Sequence, residues 1–424
     1  MSIQLISKTN FADHLLVPIS APSPLPPLPA SSVRIKTRLI SLSTNTVTYA
    51  RLGGIPGLGW WNVWEIPPPG TSLAGGLPAP SDLEQYCRIS AWGYSEVVES
   101  NMPSLTVGTW LFGYQPIGTH PEILTLVAGA APNHYNEVSE FRRHLHGIYN
   151  RYVASSVPGY SDDKAWDASI GVLFMTGYLM NRLIFACEDG LKPVHPFGNK
   201  ELSFAWTEKE ADITDAVVVL LACSGKTALS FAHELRSNRP EGKRVSKIIG
   251  VGSEMSKGFS EGTGLFDEVL VYEDASSKDL GKKLGIQDGE NKRIVLVEFG
   301  ARGDAPSRWA EALQEKTSDE KLITLVVGSD PSAKGRSALA AKTMDPKSGV
   351  YQVGAGVVRD RAIETLGLEE YWSQQDAALE NFKQSGALKG VKIQRGQGID
   401  AWKEGWDALA QGRYGADVAL VYEF

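Results

Sequence analysis

The sequence predicts an α/β protein in which mostly-β regions flank a doubly wound parallel sheet. From about residue 166 to 345, short apolar runs alternate with turns and helical patterns, as parallel strands covered by helices do. Before that region, stretches such as Ser32–Leu39 alternate apolar and polar residues, which is typical of half-buried antiparallel strands. The two patterns indicate two kinds of domain in one chain.

The patterns also place the elements and the domain boundaries. The predicted parallel strands are Val217–Leu221, Lys247–Val251, Glu268–Tyr272, Arg293–Glu298 and Leu322–Val327, with Ala305–Lys316 as one of the helices between them and Asp417–Tyr422 as a closing strand. Asp167–Ala186 predicts a buried helix that joins the domains, with a break at Thr176–Gly177 left open, since glycine inside a helix costs about 1 kcal/mol relative to alanine. We therefore expect one domain over residues 1–165, a second over 166–345, and a return to the first over 346–424.

Composition narrows the class of protein. A chain of 424 residues is longer than a domain with a single hydrophobic core usually is, so two domains are expected. The net charge of −7 offers no basic face for nucleic acid. No run approaches the roughly 18 apolar residues of a membrane helix, and Met1–Lys8 does not resemble a signal peptide. Three widely spaced cysteines argue against a disulfide framework, so we expect a cytoplasmic protein without a nucleic-acid or membrane partner.

The most informative segment is the first predicted parallel strand and the turn after it. Val217–Leu221 leads into Ala222–Thr227, and a helical pattern follows, which is how a phosphate-facing loop at a helix N-terminus is built. A dinucleotide loop usually carries two or three glycines, but this turn carries only Gly225, between Ser224 and Lys226–Thr227. The hydroxyls and the lysine would bind phosphate; the alternative is a structural turn that holds no ligand.

The same turn resembles the end of a P-loop, but it lacks that motif's first half. Gly225–Thr227 matches the Gly-Lys-Thr ending, whereas the first glycine of the motif would stand at position 220, which is Leu220. Without that glycine the loop does not curl round a β-phosphate in the usual way. An ATPase is therefore disfavoured.

Several motifs resemble the medium-chain dehydrogenase/reductase superfamily, in particular its zinc-free quinone and enoyl reductases. They are Ile40–Gly53, Trp92–Ser100, Val107–Gly113, Phe174–Tyr178 and Gly412–Tyr422. A closer resemblance is to an offshoot known only as a domain of unknown function, through Thr46–Tyr49, Phe112–Pro116, Tyr149–Tyr152 and Ser224–Thr227. The resemblance implies a split GroES-like substrate domain around a Rossmann nucleotide-binding domain, and it implies a homodimer.

The resemblance also implies which residues bind the cofactor. On the superfamily pattern, Leu221, Ser224 and Thr227 stand where glycines are usual. Ser253, Lys257 and Tyr272 match positions that hold the 2′-phosphate of NADPH, although the neighbouring Glu254 would oppose that phosphate if it points inward. The remaining expected contacts are Thr176 at the nicotinamide end and Phe299, Gly300, Gly328 and Ser329 after the fourth and fifth strands. The implied cofactor is NADP(H).

Catalytic residues are less clearly marked. The sequence has no Cys-His-Glu set for a catalytic zinc and no Gly-x-Ser-x-Gly motif of an α/β-hydrolase. Hydride transfer without a metal still needs a hydrogen-bond donor for the developing oxyanion. Tyr49 and Tyr152 are the candidate donors and Asn45 is a candidate positioning amide, although buried tyrosines often serve packing alone.

These observations predict a zinc-independent, NADPH-dependent reductase that acts on an enone or carbonyl of an apolar small molecule. The alternative is a cofactor-free binding or accessory protein, or a lyase or hydrolase, on the same scaffold. The small number of glycines in the Ala222–Thr227 turn motivates that alternative.

Overall fold

The computed structural model describes residues 1–21, 24–74, 80–198, 206–287, 289–328, 330, 338–343, 345 and 348–424. The chain divides into two units. Unit 1 contains Met1–Val172, Lys392–Tyr414 and Val418–Phe424, and unit 2 contains Leu173–Val391 and Gly415–Asp417. No helix in the described ranges has the length and apolar character that crossing a membrane requires.

The secondary structure of the described residues is as follows. The first ten strands are β1 (Ser2–Ser7), β2 (His14–Ser20), β3 (Ser32–Leu42), β4 (Ser72–Leu73), β5 (Tyr86–Cys87), β6 (Ser90–Ser100), β7 (Trp110–Pro116), β8 (Glu122–Ala128), β9 (His134–Glu137) and β10 (Arg151–Ser155). The others are β11 (Val217–Leu221), β12 (Lys247–Gly252), β13 (Glu268–Val271), β14 (Ile294–Glu298), β15 (Leu322–Val326), β16 (Val350–Gln352), β17 (Lys392–Gln397) and β18 (Val418–Glu423). The α-helices are α1 (Thr44–Leu52), α2 (Asp162–Leu179), α3 (Glu208–Ala211), α4 (Lys226–Ser237), α5 (Glu254–Gly262), α6 (Leu280–Leu284), α7 (Ala305–Gln314), α8 (Ala338–Lys342), α9 (Ala355–Leu366), α10 (Leu368–Gln384) and α11 (Gly398–Ala410).

Unit 1 is built on two β-sheets. The larger has the strand order β17-β18-β3-β6-β7-β10-β9-β8, and β8 also pairs with β3, so the strands from β3 to β8 form a closed ring. The smaller sheet has the order β4-β2-β1-β5. Ring closure explains why β3 is long and largely buried, with partners along both of its edges.

The C-terminal part of the chain completes unit 1. Helix α11 buries Trp402 and Trp406 completely. Their indole nitrogens donate to the Gln4 side chain and to the Phe11 carbonyl oxygen, each at 2.9 Å. Strand β18 pairs antiparallel with β3. The predicted closing strand Asp417–Tyr422 therefore exists and is shifted by one residue.

Unit 2 is built on a parallel sheet with the order β13-β12-β11-β14-β15-β16. This is the 3-2-1-4-5-6 order of the Rossmann fold. Every residue of β11 and β14 is buried, because helices cover both faces of such a sheet. All five predicted strands are present, with ends that differ by at most one residue, and the predicted helix Ala305–Lys316 corresponds to α7.

The predicted joining helix needs correction. Helix α2 starts at Asp162, five residues before the predicted start at Asp167, and runs through Gly177 without a break. It continues as a π-helical turn over Met180–Ile184. A Cβ atom at Gly177 would lie 2.7 Å from the Phe231 nitrogen, so this glycine allows α2 to approach α4 rather than breaking the helix.

The unit boundaries also differ from the predicted domains. The division falls at Val172–Leu173 rather than at 165–166, and residues 346–391 belong to unit 2 instead of the returning part of unit 1. The change of texture at 346 precedes the short sixth strand β16, which the sequence patterns did not predict. It carries no information about the unit against which α9 and α10 pack.

Candidate functional site

The carboxyl ends of the parallel strands in unit 2 bring most of the predicted cofactor-binding residues to one edge. The last residues of β11 to β15 are Leu221, Gly252, Val271, Glu298 and Val326. Ser224–Thr227, Ser253, Tyr272, Phe299, Gly300 and Gly328 follow these strand ends, and Lys257 lies in α5 just after Ser253. Ligands of open α/β sheets bind at this edge. Ser329 lies outside the described residues.

The turn after β11 adopts its tight form without the usual glycines. Ala222 has a left-handed backbone with φ of +53°, which costs a residue with a Cβ roughly 1–2 kcal/mol. Its carbonyl oxygen accepts a hydrogen bond from the Gly225 nitrogen at 2.9 Å. The strained position is therefore Ala222, and not Leu221, Ser224 or Thr227, where the family pattern places glycines.

Two glycines in the neighbouring strand make room for this turn. A Cβ on Gly250 or Gly252 of β12 would lie 3.1 or 3.4 Å from the Cys223 sulfur. That sulfur is buried and contacts the Ser260 hydroxyl at 3.4 Å. The space that glycines usually provide inside the loop is thus provided by β12.

The start of α4 offers donors for an anion. Its N-cap residue, Gly225, makes no side-chain capping bond, and the first backbone N–H groups of any helix lack intrahelical acceptors. The hydroxyls of Ser224 and Thr227 hydrogen-bond to no other residue in the described ranges. Burial lowers the pKa of Lys226 to about 8, against an opposing effect of Asp417. These groups fit a pyrophosphate at a helix N-terminus.

The end of β12 carries the residues predicted to select NADPH. Ser253 is the N-cap of α5, and its hydroxyl lies 3.1 Å from that of Ser256. Burial alone would raise the pKa of Asp274, but Lys283 and, more weakly, Lys257 hold it below its usual value. The charge of Lys257 therefore acts near the end of β13, where Tyr272 lies. Glu254 is exposed.

Glu298 is a buried acid at this edge that the sequence interpretation did not select. One carboxylate oxygen accepts hydrogen bonds from the Gly300 and Ala301 nitrogens, both at 2.6 Å. The other oxygen is buried and has no hydrogen-bond partner among the residues that the structure describes. Burial raises the pKa of Glu298 to about 7, against the effect of the two backbone donors. An acidic residue that ends the apolar run Ile294–Val297 was the available signal.

The remaining loop residues lie close to Glu298. A Cβ at Gly328 would lie 2.4 Å from the Phe299 carbonyl oxygen, so these two loops touch through backbone. Gly300 has a φ of +118° that favours glycine. Burial raises the pKa of Tyr272, and the nearby Glu298 carboxylate raises it further.

Thr176 lies in α2 and not at the strand ends. It is half-buried and precedes Gly177, which faces Ser230 and Phe231 of α4 at close range. Ser230 is four residues beyond the start of α4, about one turn. Thr176 is therefore one residue from the point where α2 packs against the amino-terminal part of α4.

The predicted catalytic tyrosines lie in unit 1, around a cluster of aromatic rings. Tyr49, Trp60, Trp92, Tyr114 and Tyr149 have neighbouring ring centroids between 4.8 and 6.0 Å apart. Edge-to-face and tilted contacts predominate, which are the favourable geometries for aromatic rings. We call these five residues the aromatic cluster.

The Tyr49 hydroxyl is the polar centre of the aromatic cluster. It accepts hydrogen bonds from the Asn45 amide and the Trp92 indole, each at 2.8 Å. Burial raises its pKa to about 12, although Trp92, Asn45 and Tyr149 lower it. Asn45 is half-buried and uses one of its two amide hydrogens in this contact, so the other remains for a further acceptor.

Tyr152 is not placed to donate to a substrate. It is fully buried, its hydroxyl donates to the Tyr114 carbonyl oxygen at 2.9 Å, and it accepts from Arg142 at 3.1 Å. Arg142 is itself fully buried and faces Glu137 at 3.6 Å. Because the single hydroxyl hydrogen is already used, this arrangement supports a structural role for Tyr152 instead of the predicted catalytic one.

Comparison with known proteins places these features in a family. A family model described as a protein of unknown function (DUF2855) matches residues 40–415. Curated protein sequences give no match. Among solved structures, the chain is similar to CurA from Vibrio vulnificus in complex with NADPH, with a TM-score of 0.56 and 12% identity over 100% of this chain and 99% of that one.

Two further structures show the same similarity. The CurK enoyl reductase has a TM-score of 0.53 and 11% identity, covering 100% of this chain and 99% of its own. The complex of Etr1p with NADP and crotonyl-CoA has a TM-score of 0.52 and 12% identity, with the same coverage. The family match confirms the resemblance to the offshoot of unknown function. The structural similarity confirms the fold class of a GroES-like domain with a Rossmann domain.

Proposed function

The chain belongs to the DUF2855 family of proteins of unknown function, and from its fold and its nucleotide loop we propose that it is a zinc-independent, NADPH-dependent reductase of an apolar enone or carbonyl compound. The observation that carries the proposal is the start of α4, where the hydroxyls of Ser224 and Thr227 make no other hydrogen bond in the described ranges and Lys226 adds a cationic side chain. Their position at the carboxyl ends of parallel strands is where dinucleotides bind in this fold.

The cofactor assignment follows from charge and position. The first turn of α4, with Ser224, Lys226 and Thr227, would hold the pyrophosphate. Ser253, Lys257 and Tyr272 would hold the 2′-phosphate, since a lysine beside a hydroxyl forms charge-assisted hydrogen bonds to a phosphate. NADPH would supply the hydride when bound. The structures of CurA with NADPH and Etr1p with NADP support this class of cofactor.

Asn45 is the group that we propose as donor to the substrate oxygen. Its amide is held by the Tyr49 hydroxyl at 2.8 Å and retains one free hydrogen, whereas the tyrosine hydroxyls are enclosed. The roles expected from the sequence are thereby exchanged: Tyr49 positions and Asn45 donates. A preorganised donor stabilises negative charge that develops on a carbonyl oxygen.

Titration of the purified protein with NADPH and NADH tests the cofactor, with nicotinamide fluorescence as the readout. We expect NADPH to bind more tightly than NADH. Lys257→Ala should lower the affinity for NADPH by roughly tenfold or more and change the affinity for NADH little, because a charged hydrogen bond contributes about 1.5–3 kcal/mol. Lys282→Ala is the matched control, since Lys282 is exposed on α6. Absence of binding of either nucleotide at millimolar concentration would leave the cofactor-free alternative.

Measurements of turnover test the assignment of Asn45 as the hydrogen-bond donor to the substrate. With NADPH and 3-decen-2-one as an apolar enone, Asn45→Ala should lower kcat by roughly 100-fold or more, as loss of an oxyanion donor does, with NADPH affinity unchanged. Tyr49→Phe should have a smaller effect, because it releases the Asn45 amide without removing it. Equal loss in both variants would contradict the assignment of Asn45 as the donor.

A further inference from the structure

A cavity in unit 2 lies apart from the dinucleotide loops. It has a volume of about 400 Å³, at the lower end of the range for small-molecule sites. It is bounded by the end of α2 with its π-helical turn, the end of α4, and α10. The lining residues are Tyr178, Asn181, Arg182, Glu188, Glu234, Asn238, Gln374, Ala377, Ala378 and Asn381. We call it the α4–α10 cavity.

The α4–α10 cavity is at the opposite end of α4 from the proposed pyrophosphate site. Glu234 and Asn238 belong to the last turn and the C-cap of the helix, whereas Lys226 begins it. Glu234 is eight positions after Lys226, which is about 12 Å along the helix axis. The cavity is therefore a separate site, and a ligand bound there would be independent of the proposed reductase function.

Three polar atoms of the lining have no hydrogen-bond partner in the described ranges. They are the Tyr178 hydroxyl, Nε of Arg182 and Oε1 of Gln374. Tyr178 is only 4% exposed, and a buried polar group without a partner costs roughly 1–3 kcal/mol. An unpaired buried hydroxyl in the wall of a cavity indicates a site that is completed by a ligand or by water.

The charge of the lining favours a cation. Arg182 is paired with Glu188, so within the cavity lining Glu234 is the carboxylate without a permanently charged partner. Glu234 is 1% exposed, one of its oxygens accepts a hydrogen bond from Asn238 at 2.9 Å, and the ring of His233 lies 3.7 Å away. Helix α4 and the π-helical turn also end here, and helix carboxyl ends carry partial negative charge.

The surroundings of Tyr178 agree with this charge. Burial raises the pKa of its hydroxyl to about 12; among the nearby charges Arg182 has the largest effect and lowers the pKa, whereas Glu234, Glu188 and Glu370 raise it. Three of these four charges are therefore carboxylates.

We propose that the α4–α10 cavity binds a small polar molecule through a primary ammonium group. The Glu234 carboxylate and Oε1 of Gln374 would accept from the ammonium hydrogens. The Tyr178 hydroxyl and the Asn381 amide would contact the polar remainder of the molecule. An ammonium group suits this lining because it offers three donors and no acceptor to a wall that is rich in acceptors and carries net negative charge.

Calorimetric titration of the full chain with 1,4-diaminobutane tests the proposal, with 1,4-butanediol as the neutral probe of equal length. The diamine should bind and the diol should not. Glu234→Gln, which keeps the acceptor for Asn238, should weaken diamine binding at least tenfold. Glu241→Gln removes an exposed carboxylate outside the cavity and should leave the affinity unchanged.

A second variant keeps the proposal testable if Glu234→Gln does not fold. Ala378→Phe fills the cavity from a half-buried position on α10 without changing any charge, and it should abolish diamine binding. Equal binding of diamine and diol, undiminished binding in Ala378→Phe, or equal loss in Glu234→Gln and Glu241→Gln would each overturn the proposal. The last result would show unspecific attraction to a protein with a net charge of −7.

Discussion

Replacing Gly177 with alanine should destabilise the protein, whereas the same replacement at Gly171 in the same helix should stabilise it. A Cβ at Gly177 would lie 2.7 Å from the Phe231 nitrogen and 2.9 Å from the Ser230 carbonyl carbon. At Gly171 the nearest atom would be the Phe112 ring at 3.9 Å, an ordinary contact. Alanine therefore brings the same gain in helix propensity at both positions, and only the room available to its Cβ atom differs.

The magnitudes follow from these distances. Alanine gains about 1 kcal/mol over glycine inside a helix, and Gly171→Ala should realise most of that gain. At Gly177 the two nearest obstructing atoms are backbone and lie under 3.0 Å away, so α2 and α4 must move apart, and we expect a cost of about 2–3 kcal/mol, in the upper part of the range for overpacking. We expect a net loss of about 1–2 kcal/mol for Gly177→Ala and a difference of about 2–3 kcal/mol between the variants.

Thermal and urea unfolding of both variants beside the parent protein provide the assay. A difference of this size corresponds to roughly 5–10 °C in Tm for a unit of about 200 residues. Circular dichroism before unfolding establishes that both variants retain their helix content. If Gly177→Ala proved as stable as Gly171→Ala, the close approach of α2 to α4 would not be what requires glycine at 177.

Three further predictions concern charge and hydrogen bonding. Because the pKa of Lys226 is about 8, NADPH affinity should fall by roughly tenfold between pH 7 and 9, and Lys226→Met should remove this dependence in fluorescence titrations. The pKa of Glu298 is raised from 4.5 to about 7, so its contribution to stability is full below about pH 4.5 and is lost as pH rises through 7. In the parent protein the free energy of unfolding in urea should therefore fall by roughly 2–3 kcal/mol between pH 5 and 8, and Glu298→Gln should remove this fall. An unchanged pH profile in either variant would contradict the corresponding assignment. Tyr152→Phe removes the hydroxyl that donates to the Tyr114 carbonyl oxygen and accepts from one Arg142 nitrogen, while Arg142 keeps its other contacts, and it should cost about 1–3 kcal/mol in unfolding experiments, with NADPH affinity unchanged; an unaltered stability would be inconsistent with the buried network.

Five of the six parallel strands were predictable because burial gives each one an apolar run, whereas the three residues of β16, Val350–Gln352, form no such run. Val217–Leu221 and Leu322–Val326 are bounded by turns or polar residues on both sides, so their positions follow from composition alone. The unit to which α9 and α10 belong was not predictable, because an amphipathic helix shows that it packs but not against which surface.

The details of the nucleotide loop depended on contacts between distant residues. Cys223 fits beside β12 only because Gly250 and Gly252 lack side chains, and these positions are 27 and 29 residues away. Glu298 resembles any acidic residue at the end of a strand until its burial and its two backbone donors are known.

The tyrosines illustrate the same limit. The contact of Tyr49 with Asn45 is local, since the two residues are four apart on α1 and share one helix face. Its contact with Trp92 joins residues 43 apart, and this second contact encloses the hydroxyl. The sequence therefore selected two residues that the fold brings into contact, and the proposed exchange of roles between Tyr49 and Asn45 depends on a contact that only the fold provides.

Strand β3 also governs the order in which unit 1 assembles during synthesis. Along one edge, Ser32–Ile35 pairs with β8 and Leu39–Leu42 with β18, so part of this edge has no partner until residues 418–423 leave the ribosome. At 5–20 residues per second, the roughly 380 residues between Leu42 and β18 take about 20–75 s to synthesise. Throughout that interval the nascent chain exposes an unpaired strand edge of the kind that templates aggregation. From this topology we expect unit 1 to need chaperones during synthesis, and linking β18 directly before β3 in a circular permutant should reduce that need.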